Sequence, residues 1–322
     1  MRFIIALVLS TTAASADVSD IVETQILPGY STLAASTQTL AETAAQDCTP
    51  PAVRPAFHVA YDAWIAISHI QFGPIETRGL NLAMAYWPDP KDSTGKALSR
   101  LIAAEDLIVD NRNQFGEVSA AAQGFGALER LLYDPQSKQE YSCRVVQAIS
   151  RGLEDKARAL VSDWSTFAEV IATAGQAGNL RFQSPKEAER ALYTALSTGL
   201  EFLEDQRLGR PLGKFDRPRP RRAEARRSGR SLRHIELSLE MLEGLALSLG
   251  DGDLPETRAN FTNARNRAAG LDDPSLSGVA IPSERFRIEV LQQAIGDIRT
   301  AVGQEIGQPL GIAAGFNALD GD

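Results

Sequence analysis

Histidine and cysteine are scarce in this chain of 322 residues, with three and two copies respectively, and that scarcity bounds the chemistry before any motif is read. A structural zinc site draws about four closely spaced Cys and His ligands, and no Cys-x-x-Cys is present. His-Glu-x-x-His, Gly-x-Ser-x-Gly and Gly-x-Gly-x-x-Gly are also missing, and Gly209 to Lys214 has neither the spacing nor the Ser/Thr of a phosphate loop. Basic charge is in deficit: 33 Lys and Arg face 41 Asp and Glu, a net charge of −8, whereas a nucleic-acid binder presents a basic face. Gly-X-Y repetition is absent, which excludes a collagen-like chain. Alternating runs rich in Val, Ile and Thr are nearly absent too, so a sheet has no raw material.

The N-terminus does carry an apolar run. Met1-Arg2 gives a positive start, Phe3 to Leu9 is apolar, and Ala14-Ser15-Ala16 reads as a small-residue cleavage site. This is the pattern of a secretory signal peptide over 1–16, with a mature chain from Asp17 that is periplasmic or secreted. No later apolar run reaches 18 residues, so no transmembrane segment is expected after cleavage. In an oxidising compartment a lone cysteine pair favours a disulfide over a metal site, here Cys48 with Cys143. Closing that loop stabilises by ~4 to 5 kcal/mol in the chain-entropy account. Two free thiols are the alternative.

The rest of the chain follows the helical period. Val146, Ile149, Leu153, Leu160, Trp164, Phe167 and Ile171 form one stripe, with Ser137 and Glu140 placed as a capping box before it. Ser184, Pro185 and Glu187 read as N-cap, first helical residue and reciprocal cap of a helix running to about residue 208. Ile288, Leu291, Ile295, Ile298 and Val302 mark the last long helix. Further helices are expected at 18–46, 52–71, 94–110, 117–133, 230–249 and 256–269. The fold class is therefore all-α: two helical bundles side by side, possible duplicates of one another, with a boundary in Gly175 to Asn179 that divides 17–175 from 184–322.

One segment departs from the acidic composition. Residues 207–233 hold eleven Lys and Arg against Asp216 and Glu224. An anion-binding loop or docking surface is one reading, and a linker whose arginines pair with acidic helix faces is the other. His58, Asp62 and His69 share one helical face, but the two histidines stand about 16 Å apart along the axis and cannot share an ion. His58 and Asp62, four apart, could pair.

Several segments, in order, resemble the imelysin-like family: Ala60-Tyr61-Asp62-Ala63-Trp64, Phe72-Gly73-Pro74 and Tyr86-Trp87-Pro88-Asp89. Gln123 to Tyr133 is similar to that family's Gly-x-His-x-x-Glu segment, with Gly124, Gly126 and Glu129 at the motif positions and Gly126 standing where the family has His. Glu224, Ser228 and Ser231 with Leu232 match its Glu-x-x-x-Ser-x-x-Ser-Leu pattern. The resemblance implies an exported protein of two helical bundles with a site in the cleft between them, a metallopeptidase label, and an association with bacterial iron uptake.

The binding cleft expected from these residues is Gly124, Gly126, Glu129, Glu224, Ser228 and Ser231. Glu129 and His69 remain as candidate ligands for iron or another divalent metal, and no catalytic residue is assigned. Gly124 and Gly126 read as helix-interior glycines that only close packing or an approaching ligand explains, so that an imidazole at 126 would overpack. Glu129 needs a cation or a hydrogen-bond donor as partner, and an arginine from 219–233 could serve. The leading expectation is a non-catalytic binding or accessory protein linked to iron acquisition, whose partner is a small ligand, a metal or another envelope protein. The alternatives are a divergent metallopeptidase and a protein-protein adaptor that uses 207–233.

Overall fold

The computed structural model describes residues 18–312, so the leader expected at 1–16 lies outside the described residues. Val18–Ile21, a π-helical turn at Val22–Ile26 and Leu27–Gln46 run on as one helix, α1, over the expected 18–46. Helix α2, Pro50–Ile67, opens with prolines in its first turn, where the missing N–H has no helical partner to lose. Short helices α3 (Leu80–Met84), α4 (Ser93–Ala104) and α5 (Arg112–Phe115) lead to α6 (Gly124–Tyr133) and the long α7 (Gln139–Ala172). The second half holds α8 (Pro185–Glu201), which continues through a π turn at Phe202–Gly209 into Arg210–Leu212. Helices α9 (Ser231–Leu249), α10 (Pro255–Ala269) and α11 (Pro282–Val302) complete it. Among the described residues the only β-type pairing is an isolated bridge between Lys214 and Arg217, as the all-α expectation requires.

Helix ends depart from expectation where the chain path overrides the local signal. Helix α4 stops at Ala104 because Glu105 takes the left-handed conformation at φ 49°, and residues 107–110 form a separate 3-10 turn. Residues 117–123 precede α6 rather than belonging to it. The capping box at Ser137 does not form: Lys138 is the N-cap of α7 and no side chain caps it. Ser184 does hold the N-cap place before Pro185. Its hydroxyl makes no cap bond, however, and the Glu187 carboxylate accepts from Gln183 N, one residue earlier, at 2.7 Å.

Helices α1, α2, α6 and α7 pack into one bundle and α8 to α11 into a second, with α2 lying against α9 as the seam. Tyr30 of α1 stacks on Trp164 of α7 at 5.5 Å between ring centres, and Phe72 and Phe167 meet the same indole edge-on. Cys48, just past α1, is bonded to Cys143 near the start of α7, with their Cα atoms 5.4 Å apart. Residues 173–184 carry no helix and connect the bundles, yet one apolar cluster runs from Ile21 through Tyr61 to Ile298 without a break. Among the described residues no helix is long and apolar enough to cross a membrane.

Candidate functional site

The start of α6 is set by Gly124. Its φ is +73°, and a Cβ there would sit 2.3 Å from the Met84 carbonyl oxygen, so only glycine lets α6 abut the end of α3. Gly126 is a different case. A Cβ on it would meet only the Tyr86 carbonyl oxygen, at 3.6 Å, an ordinary contact. The expectation that close packing reserves both positions for glycine therefore holds at 124 and fails at 126. Gly124 is also the first residue of its helix rather than an interior one. Gly126 opens instead into a cleft of ≈ 100 Å³ whose walls include Tyr61, Tyr86, Trp87 and Glu129.

Three residues along α6, the buried Glu129 faces the same cleft. Its Oε1 accepts from the Ser228 backbone N at 2.9 Å and from the Ser228 hydroxyl at 2.7 Å. The two family-like segments thus meet, and the donor that Glu129 requires is a serine rather than an arginine of 219–233. Ser231 belongs to the same turn, and its hydroxyl donates to the Glu224 carbonyl oxygen at 2.5 Å. The turn is tightened by Ala225, which has a positive φ of 49° and accepts from Arg230 N.

Glu224 anchors a second, fully buried network. Its Oε2 accepts from Arg207 Nε at 2.8 Å and pairs with His234 Nδ1 at 3.0 Å, while Arg207 Nη1 donates to Ser238 Oγ at 2.6 Å. Burial alone would raise the Glu224 pKa, but the Arg207 charge and the His234 hydrogen bond outweigh it and hold it at about 2. His234 Nε2 is buried with no hydrogen-bond partner, and its ring stands edge-on to Tyr61 at 4.5 Å. Nothing in the sequence marks Arg207, His234 and Ser238 as members of one site with Glu224. Only the four-residue step from His234 to Ser238 is a local signal, and Arg207 lies 17 positions from Glu224.

The remaining candidates are placed apart. His69 lines a larger, separate cavity of ≈ 620 Å³ with Trp64, Phe202 and Arg207, and Trp87 is the one residue common to its wall and the cleft's. Burial and the Arg207 charge push the His69 pKa down to about 4. His58 and Asp62 do not pair with one another: His58 Nε2 meets the Tyr133 hydroxyl at 2.6 Å, and Asp62 takes Arg230 and Arg233. These two arginines lie on the second half, and longer-range packing has outcompeted the local helix pair. Together with Arg207–Glu224 and Arg227–Asp134, they place four of the eleven basic residues of 207–233 in ion pairs within the molecule. A divalent metal does not fit this donor set. Gly126 supplies no ligand, one Glu129 oxygen is taken twice by Ser228, and Glu224 is enclosed by Arg207 and His234. Among the described residues no three His, Cys, Asp or Glu converge as a metal site.

The family model described as imelysin matches residues 26–302. An imelysin-like protein from Psychrobacter arcticum 273-4 shares the fold, with a TM-score of 0.79 at 21% identity over 97% of this chain and 100% of that one. A protein designated a candidate iron-regulated protein A precursor, from Parabacteroides distasonis ATCC 8503, has a TM-score of 0.68 at 12% identity, covering 91% of this chain and 95% of that one. No curated protein matches significantly in sequence.

Proposed function

The chain belongs to the imelysin family, and from that premise we propose that it is an exported, non-hydrolytic binding protein that serves iron acquisition in the bacterial cell envelope. One observation carries the reading: where the family motif has His the chain has Gly126, and the partner carboxylate, Glu129, is held by Ser228. A hydrolytic zinc centre needs about three protein ligands with an open position for water, and these residues do not supply them. What they offer is a cleft with a fixed polar floor, suited to holding a ligand. Export is supported by the leader-like sequence and by the Cys48–Cys143 bond, which persists in oxidising compartments. The iron link rests on the family and on the name of the Parabacteroides distasonis protein. The adaptor reading is weaker, because Arg207, Arg227, Arg230 and Arg233 of the basic segment are paired with carboxylates of this same chain.

Metal analysis of untagged protein, alongside hydrolysis assays on denatured substrates, tests the reading. Substoichiometric metal and no cleavage are expected. One tightly held metal per chain with chelator-sensitive hydrolysis would overturn it in favour of a divergent metallopeptidase. Growth of a strain lacking the gene under iron limitation tests the remaining part, and unimpaired growth would remove the iron link.

A further inference from the structure

We propose that the cleft beside Gly126 binds a small oxyanion, a phosphate or carboxylate group, through Arg210, Arg221 and Arg222. This rests on the cleft being a binding site, as argued above, and names the class of its ligand.

The chain carries a net charge of −8, yet this cleft is lined by five arginines, at 130, 210, 221, 222 and 227, against Asp89 and Glu129. Both carboxylates are engaged by neutral donors: Glu129 by Ser228, and Asp89 by the backbone amides of Ser93 and Thr94 at 2.7 and 2.8 Å. Arg130 pairs with Asp92 and Arg227 with Asp134. Arg210, Arg221 and Arg222 have no carboxylate partner among the described residues. Arg210 donates only to Gln206 Oε1, at 3.1 Å.

The backbone holds these three cations together. Arg221 and Arg222 share the 3-10 turn Pro220–Arg222, whose φ at Pro220 is fixed by the ring. The Arg219 amide donates to the Pro211 carbonyl oxygen at 2.8 Å, which ties that turn to the residue after Arg210. Arg210 is half-buried, and its pKa is pushed down by burial and by the Arg222 charge. Arg221 and Arg222 are exposed at the rim of the cleft, and an anion held between them and Arg210 relieves the repulsion that, with burial, lowers the Arg210 pKa. Guanidinium forks match the paired oxygens of phosphate and carboxylate. The ≈ 100 Å³ available is room for a few water-sized groups, which suits a small anion and not a stretch of polymer.

Calorimetric titration with inorganic phosphate and with citrate separates the two sources of oxyanion. It is run on the whole protein, on Arg210→Gln/Arg222→Gln, on Gly126→Leu, and on Arg258→Gln as a control on α10, away from the cleft. One saturable site for at least one anion is expected, about 10-fold weaker or worse in the double variant. Binding should be lost in Gly126→Leu and unchanged in Arg258→Gln, with thermal melting showing each variant folded. The inference falls if neither anion binds saturably, if the double variant binds as tightly as the parent, or if Arg258→Gln weakens binding as much as the double variant does. The metal and hydrolysis assays on the same preparation keep the two proposals separate. Anion binding by a protein that cleaves peptides overturns only the non-hydrolytic reading, and no anion binding by a metal-free, inactive protein overturns only this one.

Discussion

Gly124 and Gly126 stand two positions apart in one motif-like run and answer to different constraints. At Gly124 the backbone needs φ +73° and the Met84 carbonyl blocks a Cβ, so Gly124→Ala should cost at least ~2 kcal/mol of stability. At Gly126 the helix is regular and the space open, so Gly126→Ala should be neutral or gain up to ~1 kcal/mol from helix propensity. Urea unfolding of both variants checks this, and equal losses would show that the cleft is closed at 126. Gly126→His should fold and should leave divalent metal affinity unchanged in titration, because the neighbouring Glu129 is already bonded to Ser228. The sequence makes Gly126 and Glu129 visible as a departure from a pattern. It does not reveal that their surroundings are a serine and a wall of arginines, since Ser228 is 99 residues away.

At the level of elements, the bond between Cys48 and Cys143 clasps the end of α1 to the start of α7, the two helices that pack most extensively. Thiol titration of denatured, unreduced protein should find no free thiol. Cys48→Ser/Cys143→Ser should lose about 4 kcal/mol if loop-closure entropy dominates, measured as a fall in unfolding free energy under otherwise identical conditions. This pairing was legible because two cysteines leave one intramolecular choice. Helix starts were legible where proline marks them, as at Pro185, since its ring fixes φ before any packing occurs. Ser137 misled because a capping box is a local preference, and the turn before α7 places Lys138 at the cap instead.

Across the whole molecule, the groups of the basic segment act as a suture. Arg230 and Arg233 reach Asp62 on α2, and Arg227 reaches Asp134 after α6, so the segment closes one bundle on the other. The buried Glu224 and the half-buried His69 lie along the same seam and make stability depend on pH in two windows. Glu224 is held at about 2 against an ordinary 4.5, so its contribution, about 3 kcal/mol, is complete above pH 4.5 and is lost as pH falls towards 2. His69 is held neutral, at about 4 against 6.5, so the unfolded chain takes up its proton first and stability falls between pH 6.5 and 4. His58, also lowered by burial, adds to the upper window. Urea midpoints measured from pH 3 to 8 should therefore rise with pH up to about 6.5 and level off above it. His69→Gln should flatten only the upper window and Glu224→Gln only the lower, and a midpoint independent of pH from 3 to 6.5 would refute the assignment.

What the sequence determined by itself is what repeats or lies close along the chain: helical period, proline-marked starts, one possible disulfide, and a family pattern read in order. These follow from local geometry, because residues three or four apart share a helix face whatever else the chain does. Tertiary structure alone decided the partners. It gave Glu129 to Ser228, took Asp62 from His58 and gave it to Arg230, and built Arg207, Glu224, His234 and Ser238 into one buried network. It also made one glycine obligatory and its neighbour a gap. Those outcomes depend on which distant side chains packing brings within hydrogen-bond reach, and no spacing in the sequence records that.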